Sequence, residues 1–278
     1  SVYLIHSMQP TAKLDQASFM DYDLVLADNF ANSAKKLKIN KIVYLSGIIP
    51  NTDHLSHHLQ SRLEVEDVFW QYYPNLTVLR AGLILGVYGT SFQMLFKLVK
   101  RLPLMICPAW TSNDTSPTPV NLVVTAIKES IYDNTHDAKM YELGCSDNVS
   151  YLNLMKISAK LMGLKRKFIP LPFNFLWLSR RWVSVITGAS TKLVYPLIES
   201  LNHEMKPHKK LMFPNLNAPT CEQALKVCLG VNYFNWGPDY LIATVLSLND
   251  DFTNEWIWSE PNWNDLNNHD TSPIGFIY

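Results

Sequence analysis

Three short apolar runs separated by two helical segments constrain the fold of this 278-residue chain more than any other feature. The runs lie at Val2–Ile5, within Lys41–Gly47 and within Leu76–Gly86, and none shows the alternation of a half-exposed strand. The intervening residues 16–38 and 56–71 carry apolar side chains at three- and four-residue spacing, which is typical of amphipathic helices. Buried strands alternating with helices predict an α/β fold, in which a parallel sheet is flanked by helices.

Polar or glycine-containing residues follow each predicted strand. They are His6–Met8, Ser46–Gly47 and Leu83–Gly86. Ligands of open parallel sheets bind beyond the carboxyl ends of the strands. We therefore expect the functional site at this edge of the sheet.

The second half of the chain has a different pattern. Helical spacing recurs between residues 151 and 228, and the tail from residue 250 is rich in Trp, Asn and Asp without a clear period. We predict three regions: the sheet domain at 1–150, a helical region at 151–249 and an irregular tail at 250–278.

Charge and cysteine content exclude several classes of function. Twenty-four Lys and Arg balance 24 Asp and Glu, so the chain lacks the basic excess of a nucleic-acid binder. No apolar run reaches the roughly 20 residues that span a membrane, and no basic leader precedes Val2, so we predict no membrane partner. The four cysteines lack CxxC spacing, which favours free thiols, a cytoplasmic location and no metal site.

Several segments resemble, in the same order, those of a known superfamily. They are Tyr3–Met8, Asp28–Ala31, Lys41–Gly47, Leu55–Arg62, Leu79–Gly86 and Pro103–Trp110. Together they resemble the atypical short-chain dehydrogenase/reductase superfamily, and within it the NmrA-like and epimerase-like NAD(P)-binding proteins. The resemblance implies a Rossmann-like domain and a mainly helical C-terminal substrate region. It also implies NAD or NADP as cofactor, and an oxidoreductase or nucleoside-diphosphate-sugar epimerase-like function on an unknown small-molecule substrate.

The glycine-rich opening of that superfamily is not in this sequence. The superfamily begins with a strand, a GxxGxxG-type loop and a helix, which together hold the pyrophosphate. The resemblance starts at the family's fourth strand, which implies that roughly 70 residues are absent, from three βα units of about 25 residues each. Gly82, Gly86 and Gly89 have the spacing of a strand-end turn instead. The sheet domain at 1–150 is then a partial one, and a truncated, inactive chain is one alternative.

The catalytic Tyr-xxx-Lys pair of the superfamily is replaced in this chain. The matching helix reads His58-Leu-Gln-Ser-Arg62, whose first and last residues share one helix face. His58 can replace the Tyr as acid and base because its ordinary pKa is about 6.5. Arg62 can hold ribose hydroxyls but cannot give up its proton. The resemblance matches Ser46 to the substrate-orienting Ser/Thr and Asn29 to the Asn of the proton relay, so these four residues are the candidate catalytic set.

The resemblance also assigns cofactor contacts. The residues predicted to line the nicotinamide end are His6, Ser7, Met8, Arg62, Leu83 and Ile84. Helices 16–38 and 56–71 would form a four-helix homodimer seam. The loss of the Tyr and Lys favours a second hypothesis, a non-catalytic nucleotide-binding, regulatory or assembly protein in which His58 and Arg62 only cap or solvate a helix.

Overall fold

The structure is a computed structural model that describes residues 1–6, 19–52, 54–135, 137–174 and 176–233. The helices in these residues are α1 (Phe19–Lys36), α2 (His57–Tyr72), α3 (Thr90–Arg101), α4 (Val120–Tyr132), α5 (Tyr151–Leu161), α6 (Leu176–Thr187), α7 (Thr191–Ser200) and α8 (Cys221–Tyr233). The strands are β1 (Val2–Tyr3), β2 (Ile42–Gly47), β3 (Leu76–Ala81), β4 (Ile84–Leu85), β5 (Leu104–Cys107), β6 (Asp114–Thr115), β7 (Thr118–Pro119), β8 (Lys139–Leu143), β9 (Val149–Ser150) and β10 (Lys167–Pro170).

Four parallel strands form the central sheet, in the order β1-β2-β3-β8. Val2 pairs with Val43, Ile42 with Leu76, and Thr77 with Lys139. Helix α1 connects β1 to β2, and α2 connects β2 to β3, so each crossover returns the chain to the same edge. The predicted parallel sheet flanked by helices is confirmed.

Alternate residues of the strands build two separate cores. On one face, Tyr44 and Val78 pack against α1 and α2, with Phe69 of α2 fully buried among them. On the other face, Val43 and Leu79 pack against α4. Because successive side chains of a strand point to opposite faces, a continuous apolar run is what a sheet covered on both sides requires.

Two sequence expectations need correction. The third apolar run does not form one strand from 76 to 86: β3 ends at Ala81, and Ile84–Leu85 pairs with Thr118–Pro119 in a separate two-stranded sheet. The stretch 102–110 contains Pro103 and Pro108, which favour irregular structure, yet it contains β5, which pairs with β10. In both cases the partner strand is distant in sequence, so local pattern alone does not reveal the pairing.

The C-terminal part of the described chain is mainly helical, as predicted. Helices α3, α6 and α7 enclose one apolar cluster that includes Met94, Val183 and Ile198. Helices α5 and α8 share another, around Leu154 and Leu225. The boundary at residue 150 stays a prediction, and the tail at 250–278 lies outside the described residues. Among the described helices, none is both long and apolar enough to cross a membrane.

Phe69→Ala tests whether the α1–α2 face carries the stability of the sheet. Phe69 is fully buried and contacts the Tyr3 ring edge-on at 4.9 Å between centroids. We expect the free energy of unfolding, measured by urea denaturation, to fall by about 3–5 kcal/mol. The control Tyr132→Ala removes an exposed ring and should change it by less than about 0.5 kcal/mol. A small loss for Phe69→Ala would contradict this packing.

Candidate active site

The candidate site lies beyond the carboxyl ends of β1 and β2. His6 follows β1 by three residues, and Ser46 is the next-to-last residue of β2. The N-terminal turns of α2 carry His58 and Arg62 to the same place. Ser7 and Met8, which were predicted to line the cofactor, lie outside the described residues.

A chain of hydrogen bonds joins Asp23, His6 and His58. The Nδ1 atom of His6 lies 2.6 Å from Oδ2 of Asp23, and its Nε2 atom lies 3.0 Å from Nδ1 of His58. Ser61 on α2 also donates to Oδ2 of Asp23, at 3.1 Å. The Asp23 side chain is only 3% exposed, so these donors compensate a buried carboxylate.

The buried carboxylate fixes the tautomers of both rings. An ionised carboxylate only accepts, so Nδ1 of His6 carries the proton that bonds to Asp23. In a neutral His6, Nε2 is then an acceptor, and the proton between the two rings belongs to Nδ1 of His58. Nε2 of His58 is left unprotonated, and it has no hydrogen-bond partner among the described residues. The arrangement therefore presents a free base at the end of a relay.

Burial disfavours the charged form of both histidines. Desolvation lowers the pKa of His58 well below its usual value near 6.5, and the charges of His6 and Arg62 act in the same direction. Desolvation also lowers the pKa of His6, followed by the charge of Arg62. The Asp23 carboxylate raises both pKa values and partly offsets these effects.

A second set of hydrogen bonds joins Arg62 to Ser46 through Tyr44. Nη1 of Arg62 donates to the Tyr44 hydroxyl at 3.2 Å. Burial raises the pKa of Tyr44, while its bonds with Arg62 and Ser46 act in the opposite direction. The Ser46 hydroxyl donates to Oε1 of Glu66 at 2.7 Å, and Ser46 itself is buried. The structure thus brings Ser46, Arg62 and the histidine pair to one corner of the sheet.

Buried charges anchor this corner to the sheet. Arg80 on β3 donates to both oxygens of Glu66, from Nε at 3.0 Å and from Nη2 at 2.6 Å. Its Nη1 lies 3.9 Å from Oε1 of Glu142 on β8. The other oxygen of Glu142 accepts from the backbone N–H of His208 at 2.6 Å. This two-oxygen contact between Arg80 and Glu66 holds α2 in a fixed position on β3.

Three other predicted residues lie apart from this hydrogen-bonded set. Asn29 is on the exposed side of α1, whereas Asp23 is on its buried side. Leu83 and Ile84 follow β3: the Leu83 carbonyl accepts from Thr118, and Ile84 pairs with Thr118 in the small sheet. Their role toward a cofactor stays a prediction.

Sequence reasoning missed Asp23 and Tyr44. The three- and four-residue spacing of apolar side chains in residues 16–38 includes Leu24, but Leu24 is 37% exposed and Asp23 is 2% exposed. Counting back four residues at a time from Ala31 gives Ala27 and then Asp23, so an acidic residue on the buried face was the available signal. Tyr44 lay within an apolar run and gave no such signal. Within the described residues, no three His, Cys, Asp or Glu side chains are placed to hold a metal ion.

Comparison with solved structures identifies the fold. dTDP-4-dehydrorhamnose reductase from Bacillus anthracis str. Ames, solved in complex with NADP, is 18% identical, with a TM-score of 0.53 over 78% of this chain and 76% of that chain. Triphenylmethane reductase from Citrobacter sp. is 15% identical (TM-score 0.62; 80% and 74%). UDP-Glc/GlcNAc 4-epimerase from Campylobacter jejuni is 12% identical (TM-score 0.54; 82% and 75%).

No family model and no curated protein matches the sequence. At these identities the structural likeness establishes the fold. The chain therefore has the Rossmann-like architecture shared by NAD(P)-binding reductases and sugar-nucleotide epimerases, which is the fold that the sequence resemblance predicts.

The lowered pKa values of His6 and His58 predict a pH-dependent stability. Between the folded and unfolded pKa values, the unfolded chain binds protons that the folded chain does not, so the free energy of unfolding falls as the pH is lowered from about 7 to 5. His58→Gln removes one of these sites and should flatten the slope by up to about 1.4 kcal/mol per pH unit. His57→Gln, at an exposed neighbour, should keep the parent slope. Equal slopes in His58→Gln and the parent, from urea unfolding across this pH range, would refute the neutral buried pair.

Proposed function

We propose that this chain is an NAD(P)-dependent oxidoreductase or epimerase-like enzyme in which His58 is the acid and base. The observation that carries the proposal is the Asp23–His6–His58 chain at the carboxyl ends of the strands. A histidine that merely capped or solvated a helix would not need a second histidine and a buried carboxylate behind it. This arrangement favours a catalytic protein over the non-catalytic alternative.

The donor groups of the site fit the ribose of a nicotinamide cofactor. Arg62 uses one N–H on Tyr44, and the rest of its guanidinium has no partner within the described residues. Guanidinium N–H groups donate to hydroxyl oxygens, so Arg62 would hold the nicotinamide ribose beside His58. The described residues contain no glycine-rich strand–turn–helix unit for the pyrophosphate, so the fit concerns the nicotinamide end alone. The complexes of neighbouring folds with NADP and NAD+ support this assignment.

The protein supplies position and proton transfer. NAD(P), held by Arg62 at its nicotinamide ribose, would supply hydride transfer to or from a substrate carbon. Nε2 of His58 accepts the proton of a substrate hydroxyl as the carbonyl forms, and Asp23 stabilises the resulting charge through His6. Desolvation lowers the pKa of His58, which favours the unprotonated ring that this step requires. Asp23 and His6 are positioning residues in this mechanism.

His58→Ala should remove the base and leave Arg62 in the site. We expect kcat for the reduction of NAD+ or NADP+ by a panel of alcohols to fall by about 10²–10⁴-fold, with a smaller change in KM. The matched control His57→Ala, one residue earlier on the exposed side, should retain parent activity. Activity that survives in His58→Ala would remove His58 from the reaction, and absence of turnover in the parent chain would favour the binding protein.

Asp23→Asn separates positioning from general destabilisation. The Asp23 carboxylate raises the pKa of both histidines, so its neutralisation should move the acid limb of the kcat/KM profile to lower pH. A variant that was only less stable would lose activity without moving that limb.

We also propose that the chain forms a homodimer through α1 and α2. The two helices pack against each other on one face of the sheet, joined by bonds such as that from Tyr72 to Asp28 at 2.7 Å. Leu24, Val25 and Leu26, on one turn of α1, are exposed, so this turn offers apolar side chains to a second copy.

Val25→Glu tests the dimer. Light scattering should give two chains per particle for the parent and one for Val25→Glu, because a carboxylate in an apolar seam loses hydration without gaining a partner. Val185→Glu, at an exposed apolar position of α6, is the control and should remain dimeric. A monomeric parent would dismiss the seam.

The state of the cysteines supports a reducing compartment such as the cytoplasm. Cys107, Cys145, Cys221 and Cys228 are all buried free thiols, and Cys221 lies beside Cys145 without a disulfide between them. Neighbouring thiols stay unoxidised in reducing compartments, where disulfides are rare.

A further inference from the structure

A cavity of about 100 Å³ lies inside the helical region. Its walls are apolar side chains of α3, α5, α6 and α7, among them Met94, Leu154, Val183 and Ile198. These four residues are at most 9% exposed, whereas Leu83 and Ser91 belong to the half-buried part of the lining, which we call its rim. Apolar surface that stays in contact with water is unfavourable, so an apolar molecule that covers these walls would be stabilised there.

The lining sets the chemistry of an occupant. None of the described residues that line the cavity is charged. The indole N–H of Trp110 already donates to Ser179 at 3.3 Å, and burial raises the pKa of Tyr151 to about 12, so its hydroxyl is neutral. Within the described residues, the Ser91 hydroxyl has no hydrogen-bond partner. The cavity thus offers aromatic and aliphatic contacts and one free hydroxyl.

Helix α7, which forms one wall of the cavity, contacts α2, the helix that carries His58. The lining of the cavity includes Ile198 of α7 and Leu201, the residue after that helix. Ser200 lies between these two residues in the sequence. The Ser200 hydroxyl is 2.9 Å from that of Ser56, which caps the N-terminus of α2 two residues before His58. Leu83, at the rim, follows the carboxyl end of β3. The Ser200–Ser56 hydrogen bond and the position of Leu83 therefore both place the cavity next to elements that reach the strand ends.

We infer that this cavity holds the apolar part of an uncharged substrate, a small ring or branched chain bearing one alcohol or carbonyl oxygen. A carboxylate or phosphate in it would lose its hydration without gaining a counter-charge. Trp110 and Tyr151, which meet at 6.1 Å between ring centroids, present aromatic surface to a ring. The inference rests on the proposed function for the reacting oxygen, and it selects an apolar alcohol over a nucleotide sugar.

Direct binding tests the inference without any cofactor. The probe is 4-fluorobenzaldehyde, followed by the ¹⁹F NMR shift and linewidth on titration with the full chain. The charged analogue 4-carboxybenzaldehyde should bind at least about tenfold more weakly. Val183→Phe fills the cavity and should weaken the binding of 4-fluorobenzaldehyde at least about tenfold. Val185→Phe, on the exposed side of the same helix, should bind it like the parent.

Several results would overturn the inference: no binding by the parent, equal binding of the two aldehydes, or undiminished binding in a folded Val183→Phe. If Val183→Phe does not fold, Ser91→Phe blocks the half-buried rim and should give the same loss. Turnover of NADP+ with alcohols separates the two proposals. If the aldehyde binds but no alcohol is turned over, the cavity assignment stands and the proposed enzymatic function fails. If turnover is confined to charged or sugar-nucleotide substrates, only the cavity assignment fails.

Discussion

The Asp23 carboxylate is the group on which the arrangement of this site depends. An anion that is only 2% exposed requires donors, and it takes them from His6 and Ser61. Each bond has a direction because an ionised carboxylate cannot donate. The same order of donor and acceptor continues from His6 to His58. It leaves Nε2 of His58 unprotonated and able to act as a base. The same contacts join α1, α2 and the end of β1, so folding and chemistry share one cluster of atoms.

Most of the fold could be predicted from the sequence, because local pattern determines it. Apolar runs such as Ile42–Leu45 have no polar alternation, and only a sheet covered on both faces buries them. The strand pairs of the small two-stranded sheets could not be predicted in the same way. Ile84–Leu85 pairs with Thr118–Pro119, and β5 pairs with β10 about 60 residues later in the chain. Nothing local in two- or four-residue strands indicates partners at that distance.

The candidate site was predicted in part. His58 and Arg62 were matched by resemblance to the Tyr and Lys of the superfamily, and their four-residue spacing places them on one helix face. Asp23 was missed because the apolar positions of α1 were counted through Leu24. An error of one residue rotates the inferred buried face of a helix by about 100°, since 3.6 residues make a turn. Asn29 was favoured by resemblance, yet it is exposed on α1. Tyr44 joins the site only because β2 places it between Arg62 and Ser46.

The protonation of the His58 ring near pH 7 tests the central claim most directly. In ¹⁵N-labelled protein, ring nitrogen shifts distinguish a protonated from an unprotonated nitrogen, and His58→Gln assigns the signals. The account predicts a neutral His58 with a proton on Nδ1 and none on Nε2, beside a His6 protonated on Nδ1. A charged His58, or a proton on Nε2 in place of Nδ1, would contradict a relay that starts at Asp23 and ends in a free base.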